Sequence, residues 1–121
     1  GKKNLMQNLC IAYQDILKKH KLYATSTTGQ MIEDVANLKI HKLLAGHFGG
    51  MQQMGSKISN NEIDLLIFLQ DPANKKRTPD FYNVLNLCDQ YNIPCATNLP
   101  TAEVLILALD RGDLDWRNMY K

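Results

Sequence analysis

The chain has almost no excess of charge of either sign. Fourteen Lys and Arg stand against twelve Asp and Glu in 121 residues, a formal net charge of +2. So small a balance leaves no basic stripe of the kind that polymeric nucleic acid or an anionic membrane selects. Long hydrophobic runs are absent as well. The apolar runs, such as Leu65-Leu66-Ile67-Phe68-Leu69, are the size of a strand, and no stretch reads as a membrane span. Lys2 and Lys3 lead into an amphipathic segment rather than an apolar one, so no secretory leader is expected. Cysteine is sparse: Cys10, Cys88 and Cys95, an odd number, each among apolar neighbours. That pattern fits buried free thiols in a reducing compartment, and the cytoplasm is the expected location. No cysteine has an adjacent basic partner, so none is expected to be reactive. Three scattered histidines, His20, His41 and His47, show no metal-ligand spacing; neither a metal nor another cofactor is expected. Repeats, low-complexity segments and interdomain linkers are also lacking, so residues 1–121 read as a single domain.

What the chain does have is an alternation of helix-like and strand-like segments. Apolar residues at three- and four-residue spacings predict a helix over 4–20. A short strand at 22–25, a helix at 30–38 and a strand at 40–45 follow. The next elements are a helix from about 52 to 60 and a strand at 63–70 buried on both faces. Thr78-Pro79 opens a further helix as N-cap and first-turn proline. A strand at 93–97 and a helix from Pro100 to Arg111-Gly112 come last, before a polar tail with Trp116, read as a packing or interface residue. Strands alternating with helices predict an α/β fold, a three-layer sandwich around a parallel sheet. In such sheets ligands bind beyond the carboxyl ends of the strands. Thr25–Thr28, Ala45–Gly50, Asp71-Pro72 and Asn98–Thr101 all fall at those ends.

Two of these strand ends carry anion-binding chemistry. Tyr23-Ala24-Thr25-Ser26-Thr27-Thr28-Gly29 places four hydroxyls and a glycine between a strand and a helix, the layout of a phosphate cradle. Hydroxyls supply short, orientable donors there. Ala45-Gly46-His47-Phe48-Gly49-Gly50 supplies a second, glycine-rich turn. The plain alternative for the threonines is a capped turn with no ligand.

Taken together, the motifs resemble the methylglyoxal synthase family over nearly the whole chain. The resemblance rests on the threonine turn, Leu44-Ala45-Gly46, Gly49-Gly50-Met51-Gln52-Gln53, Ile67-Phe68-Leu69-Gln70-Asp71-Pro72, Asn92-Ile93-Pro94-Cys95-Ala96-Thr97-Asn98 and Thr101-Ala102. It implies a flavodoxin-like or Rossmann-like sandwich, commonly hexameric. It also implies a site for dihydroxyacetone phosphate, from which the family's enzymes remove a proton and eliminate phosphate. By position, Thr25, Thr27 and Thr28 match the phosphate-binding threonines, Gly46 a backbone donor and Lys3 a lysine near the phosphate. Ser26, His47, Gly49, Gly50 and Arg77 complete the expected ligand-binding set. Ala45 stands where the family has a serine.

The catalytic positions depart from the pattern. Met51 stands where the family carries the carboxylate regarded as the base, and a thioether cannot accept a proton at neutral pH. Arg77 stands for a histidine. Asp71 and Asp80 survive. The family's opening strand, ending in Ala-His-Asp, has no counterpart before Gly1-Lys2-Lys3. This tips the sequence reading toward a non-catalytic, homo-oligomeric protein that binds a phosphorylated small molecule. With Lys75-Lys76-Arg77 at the rim, a nucleotide or cyclic nucleotide signal, held or sequestered as by a sponge, becomes the expected ligand. The alternative is a methylglyoxal synthase in truncated or mutated form, with Asp71 or Asp80 as base. A regulatory module of a larger machine is a weaker third reading.

Overall fold

In the computed structural model, residues 4–45, 49–69 and 79–120 are described. The chain divides by contact into two units, residues 1–53 and 54–121, and each is taken on its own.

The first unit starts with a capping box. Asn4 accepts the Gln7 N–H at 2.8 Å, and the Gln7 side chain accepts the Asn4 N–H at 3.0 Å, opening α1, Leu5–Ala12. The sequence predicts one helix to residue 20, but the backbone leaves helical geometry at Tyr13 (φ −116°, ψ 20°) and α2 follows as Gln14–Leu17. The apolar spacing runs straight through this break: Leu9 and Leu17 are both buried. Periodicity reports which face is apolar and is blind to one residue's backbone angles.

Strand β1, Leu22–Thr25, pairs in parallel with β2, Ile40–Leu43, in the register Leu22↔Ile40 to Thr25↔Leu43. Between them runs α3, Ser26–Glu33, which packs on both strands and against α1. This corrects the expected start at residue 30: the hydroxyl-rich stretch is the first turn of the helix. Gly29 is therefore not a turn glycine. A Cβ there would lie 2.9 Å from Lys42 Cγ and 3.1 Å from Ile40 Cγ2, so glycine allows α3 to lie close on β2. The helix ends at Glu33 rather than Leu38, and the Glu33 carboxylate reaches β2. It accepts the Ile40 N–H at 2.9 Å and pairs with Lys42. Leu9, Cys10, Leu17, Ala24, Ile32, Ala36, Leu38 and Ile40 are this unit's buried apolar residues.

Helix α4, Gly50–Ser59, begins in the first unit and continues into the second. The second unit also holds β3, Leu66–Ile67, parallel to β4, Cys95–Ala96, with Leu66 opposite Cys95. Both strands are shorter than the apolar runs predict, and the ladder is anchored by Leu66 N–H to Pro94 and Phe68 N–H to Ala96. Of the expected run only Ile63 and Leu66 are fully buried; Leu65, Ile67, Phe68 and Leu69 are half-buried. Helix α5, Pro79–Gln90, buries Phe81, Val84 and Cys88; of the apolar spacing Phe81, Val84, Leu85, Cys88 and Tyr91, Leu85 and Tyr91 are only half-buried. Helix α6, Leu99–Asp110, is capped by Asn98, whose side chain accepts the Thr101 N–H at 3.0 Å. It packs against β4. Ala102 and Ile106 form its buried face; apolar spacing predicts Ala102, Leu105, Ala108 and Leu109 inward, and of these only Ala102 is buried, the other three being half-buried.

A 3-10 helix, Asp115–Tyr120, ends the described chain. The tail packs on its own unit through a residue that composition does not flag. Arg117 is 5% exposed, bonded to Asp64 at 3.4 Å and to the carbonyls of Asn92 and Ile63. Trp116 beside it is largely exposed. Among the described residues no helix is long and apolar enough to cross a membrane.

Candidate functional site

The parallel pairing of β1 and β2 sets the geometry of the first unit's site. Parallel strands end on the same edge, so Thr25 and Leu43, register partners, deliver their following residues to one place. After β1 comes the first turn of α3; after β2 come Leu44, Ala45 and the glycine turn.

Thr25 occupies the N-cap position of α3 with extended backbone (φ −61°, ψ 156°), but its side chain makes no cap hydrogen bond. The hydroxyl instead faces the Thr28 hydroxyl at 3.4 Å. This counts against the plain reading of a capped turn, because the residue best placed to cap does not do so. Ser26 and Thr28 are half-buried and Thr27 is exposed. The N–H groups of a helix's first turn have no acceptor within the helix and carry the positive end of its dipole. Hydroxyls at 25–28 beside that end form a surface suited to a phosphate.

Gly49 and Gly50 have separate reasons to be glycine. Gly49 has φ +102°, a conformation L side chains rarely adopt. At Gly50 a Cβ would fall 2.0 Å from the Leu44 carbonyl oxygen. The Gly50 N–H donates to the Ala45 carbonyl at 3.0 Å, and Gln53 accepts the Leu44 N–H at 2.7 Å. These two bonds tie the start of α4 to the residues that follow β2. Met51 is half-buried in the first turn of α4. A carboxylate there would be favoured by the helix dipole; a thioether gains nothing from it.

Other expected site residues are placed differently or not at all. Asp80 is half-buried in the first turn of α5, in the second unit. Lys3, Gly46, His47, Asp71 and Arg77 lie outside the described residues, as do Lys75, Lys76 and Thr78. His20 and His41 are exposed, and the His41 ring rests against Tyr23 at 5.4 Å. Among the described residues no group of three or more His, Cys, Asp or Glu could hold a metal ion.

Sequence reasoning passed over two features. The buried Arg117 looked like part of a polar tail. Cys95, expected to be buried and inert, is half-buried, and its thiol pKa is lowered, chiefly through its interaction with Cys88. The interaction with Cys95, and then burial, push Cys88 far upward, while burial alone raises Cys10 to about 11.

Comparison with known proteins bears directly on the non-catalytic reading. The MGS-like domain model matches residues 6–97. A methylglyoxal synthase of Caldicellulosiruptor saccharolyticus is 54% identical over 119 residues, 98% of this chain and 84% of that protein. One from Clostridioides difficile is 51% identical over 120 residues, 98% of this chain and 88% of that one. The crystal structure of methylglyoxal synthase from Elizabethkingia anophelis superposes with a TM-score of 0.73 at 33% identity, covering 83% of this chain and 66% of that chain. These likenesses overturn the expectation of a binding protein without activity. Proteins half identical along almost the whole chain carry the enzyme's name, and nothing supports a nucleotide ligand or a sponge. Changes at Met51 and Arg77 are two residues against a frame retained nearly end to end, too few to outweigh it. The α/β, Rossmann-like fold with parallel strands agrees with the expectation. The chain belongs to the methylglyoxal synthase family.

Proposed function

We propose that this chain is a methylglyoxal synthase, converting dihydroxyacetone phosphate to methylglyoxal and inorganic phosphate. The reading is carried by identity of about half to enzymes of that name over 98% of the chain. The uncapped threonine turn supports it. Removing a proton from the hydroxymethyl carbon, next to the carbonyl, gives an enediolate. That intermediate expels phosphate from the other carbon, and the enol left behind becomes methylglyoxal on protonation. Charge builds on the departing phosphate, so donors aimed at it act on the transition state. The hydroxyls of Thr25, Ser26, Thr27 and Thr28 and the amino end of α3 take this role.

The base must be a carboxylate other than residue 51, because Met51 has no basic atom at neutral pH. Asp80 and Asp71 are the two that survive from the family pattern. The same reading carries the family's homo-oligomeric, hexameric assembly. The test is release of phosphate and of methylglyoxal, measured separately, from dihydroxyacetone phosphate. Turnover is expected from the unmodified chain, with a loss of about 10²–10⁴-fold in either Asp71→Asn or Asp80→Asn. A folded protein that releases neither product overturns the proposal. Turnover unchanged in both variants overturns the assignment of the base. Met51→Asp, run alongside, is expected to raise turnover by placing a carboxylate at the start of α4.

A further inference from the structure

The ladder between β1 and β2 ends at the pair Thr25↔Leu43. Beyond it one chain segment becomes α3 at Ser26, and its neighbour continues as Leu44 and Ala45. Backbone groups that leave a ladder need new partners. The Leu44 N–H finds one in a side chain: Gln53 Oε1 accepts it at 2.7 Å. The Ala45 carbonyl finds one in the backbone of the same helix, accepting the Gly50 N–H at 3.0 Å. Gly50 and Gln53 are three residues apart in α4, the spacing that puts two residues on one face of a helix. Together they hold the two residues after β2 against the start of α4. The approach is close, since a Cβ on Gly50 would fall 2.0 Å from the Leu44 carbonyl oxygen. All of these residues belong to the first unit. Gln53 is itself exposed, so burial of its side chain does not account for it. What it supplies is an acceptor at one backbone position beside the threonine turn.

We propose that Gln53 is a positioning residue for the phosphate end of the substrate, fixing through the Leu44 N–H the backbone that borders the threonine turn. The inference rests on the reading of this chain as a methylglyoxal synthase whose threonine turn takes the phosphate. Leu43 is the register partner of Thr25, so Leu44 leaves the sheet level with Ser26, the first residue of α3. A shift of Leu44 therefore moves the wall beside the hydroxyls of residues 25–28. Donors that stabilise a leaving phosphate act best when they need no rearrangement as its charge builds. Gln53 acts through the Leu44 peptide and takes no part in proton transfer: its amide is neutral and has no titrating group near neutral pH. Without its acceptor the Leu44 N–H turns to water, and the backbone after β2 is left with the Gly50 bond to Ala45.

The experiment compares the unmodified chain with Gln53→Ala and Gln53→Glu in three measurements. These are kcat and KM for dihydroxyacetone phosphate, the dissociation constant of inorganic phosphate by calorimetry, and the urea midpoint. Alanine removes the acceptor and is the strongest helix former, so α4 itself is not weakened. Gln53→Ala is expected to weaken phosphate binding about tenfold and to lower kcat/KM about 100-fold, with little change in the urea midpoint. Gln53→Glu keeps an oxygen for the Leu44 N–H. At physiological salt, which screens its exposed charge, it is expected to restore most of both losses. Unchanged phosphate affinity and kcat/KM in Gln53→Ala would overturn the proposal. So would a lower urea midpoint with affinity unchanged, which marks a residue of stability alone, and so would a glutamate variant as impaired as the alanine. Where Gln53→Ala fails to fold, Gln53→Asn, too short by a methylene to reach Leu44, is expected to show the same losses. Calorimetry separates this proposal from the one it rests on. Phosphate binding without product release counts against the reaction, and Gln53 is then judged by phosphate affinity; product release that Gln53→Ala leaves unaltered overturns the positioning role alone.

Discussion

At the scale of single residues, backbone geometry accounts for two glycines and electrostatics for one acid. Gly50 sits where a methyl group would enter the Leu44 carbonyl, and no side-chain rotation relieves a clash with backbone. Gly50→Ala is expected to cost about 1–3 kcal/mol in urea denaturation, against the gain that alanine brings to an open helix position. Glu33 has its pKa lowered, first by the hydrogen bond from Lys42 and then by the Ile40 N–H. A carboxylate whose folded pKa lies below its unfolded value adds stability that is complete above the unfolded value. That stability is lost as pH falls through the folded one. The urea midpoint is therefore expected to drop on acidification below its ordinary pKa of 4.5, with a smaller drop in Glu33→Gln. Thr28→Val removes a hydroxyl beside the proposed phosphate. It is expected to weaken inhibition by inorganic phosphate on the order of tenfold while the fold is retained.

At the scale of elements, the ends decide more than the middles. Helix α6 depends on Asn98 for its start, and Asn98→Ala is expected to cost about 1 kcal/mol. The terminal 3-10 helix depends on Arg117. Its planar guanidinium reaches Asp64 and backbone carbonyls in three directions, which an ammonium cannot do. Arg117→Ala is expected to cost about 3–5 kcal/mol, read from thermal and urea unfolding, because it leaves buried carbonyls unpaired. Arg117→Lys is expected to recover only a small part. The threonine turn makes the same point for function. As an isolated turn it would be ordinary; as the uncapped first turn of a helix at a strand end it presents aligned N–H groups suited to an anion.

At the scale of the whole molecule, the frame and the catalytic positions point in different directions. Residue chemistry at Met51 and Arg77 argues against an enzyme, and identity along almost the full chain argues for one. The second outweighs the first, and turnover of dihydroxyacetone phosphate is the measurement that checks the proposed activity. Assembly is checked by light scattering: a homo-oligomer is expected, and α6 leaves Val104 and Leu107 exposed as apolar surface. A monomer at micromolar concentration would overturn that part of the proposal.

Much of this protein was legible in its residues. The alternation of apolar segments determined the α/β class, the strand positions and the order of the helices, because burial imposes a period on each element. The threonine and glycine turns marked the candidate site, because those residue types suit few other tasks at a strand end. Element boundaries were not legible. Tyr13 breaks a helix whose apolar stripe continues, and Ser26 begins one where composition suggested a turn. The roles of Gly29, Gly50 and Arg117 were decided by tertiary structure alone. Each depends on a neighbour distant in sequence or on the far side of a chain reversal, and local spacing carries no record of such contacts.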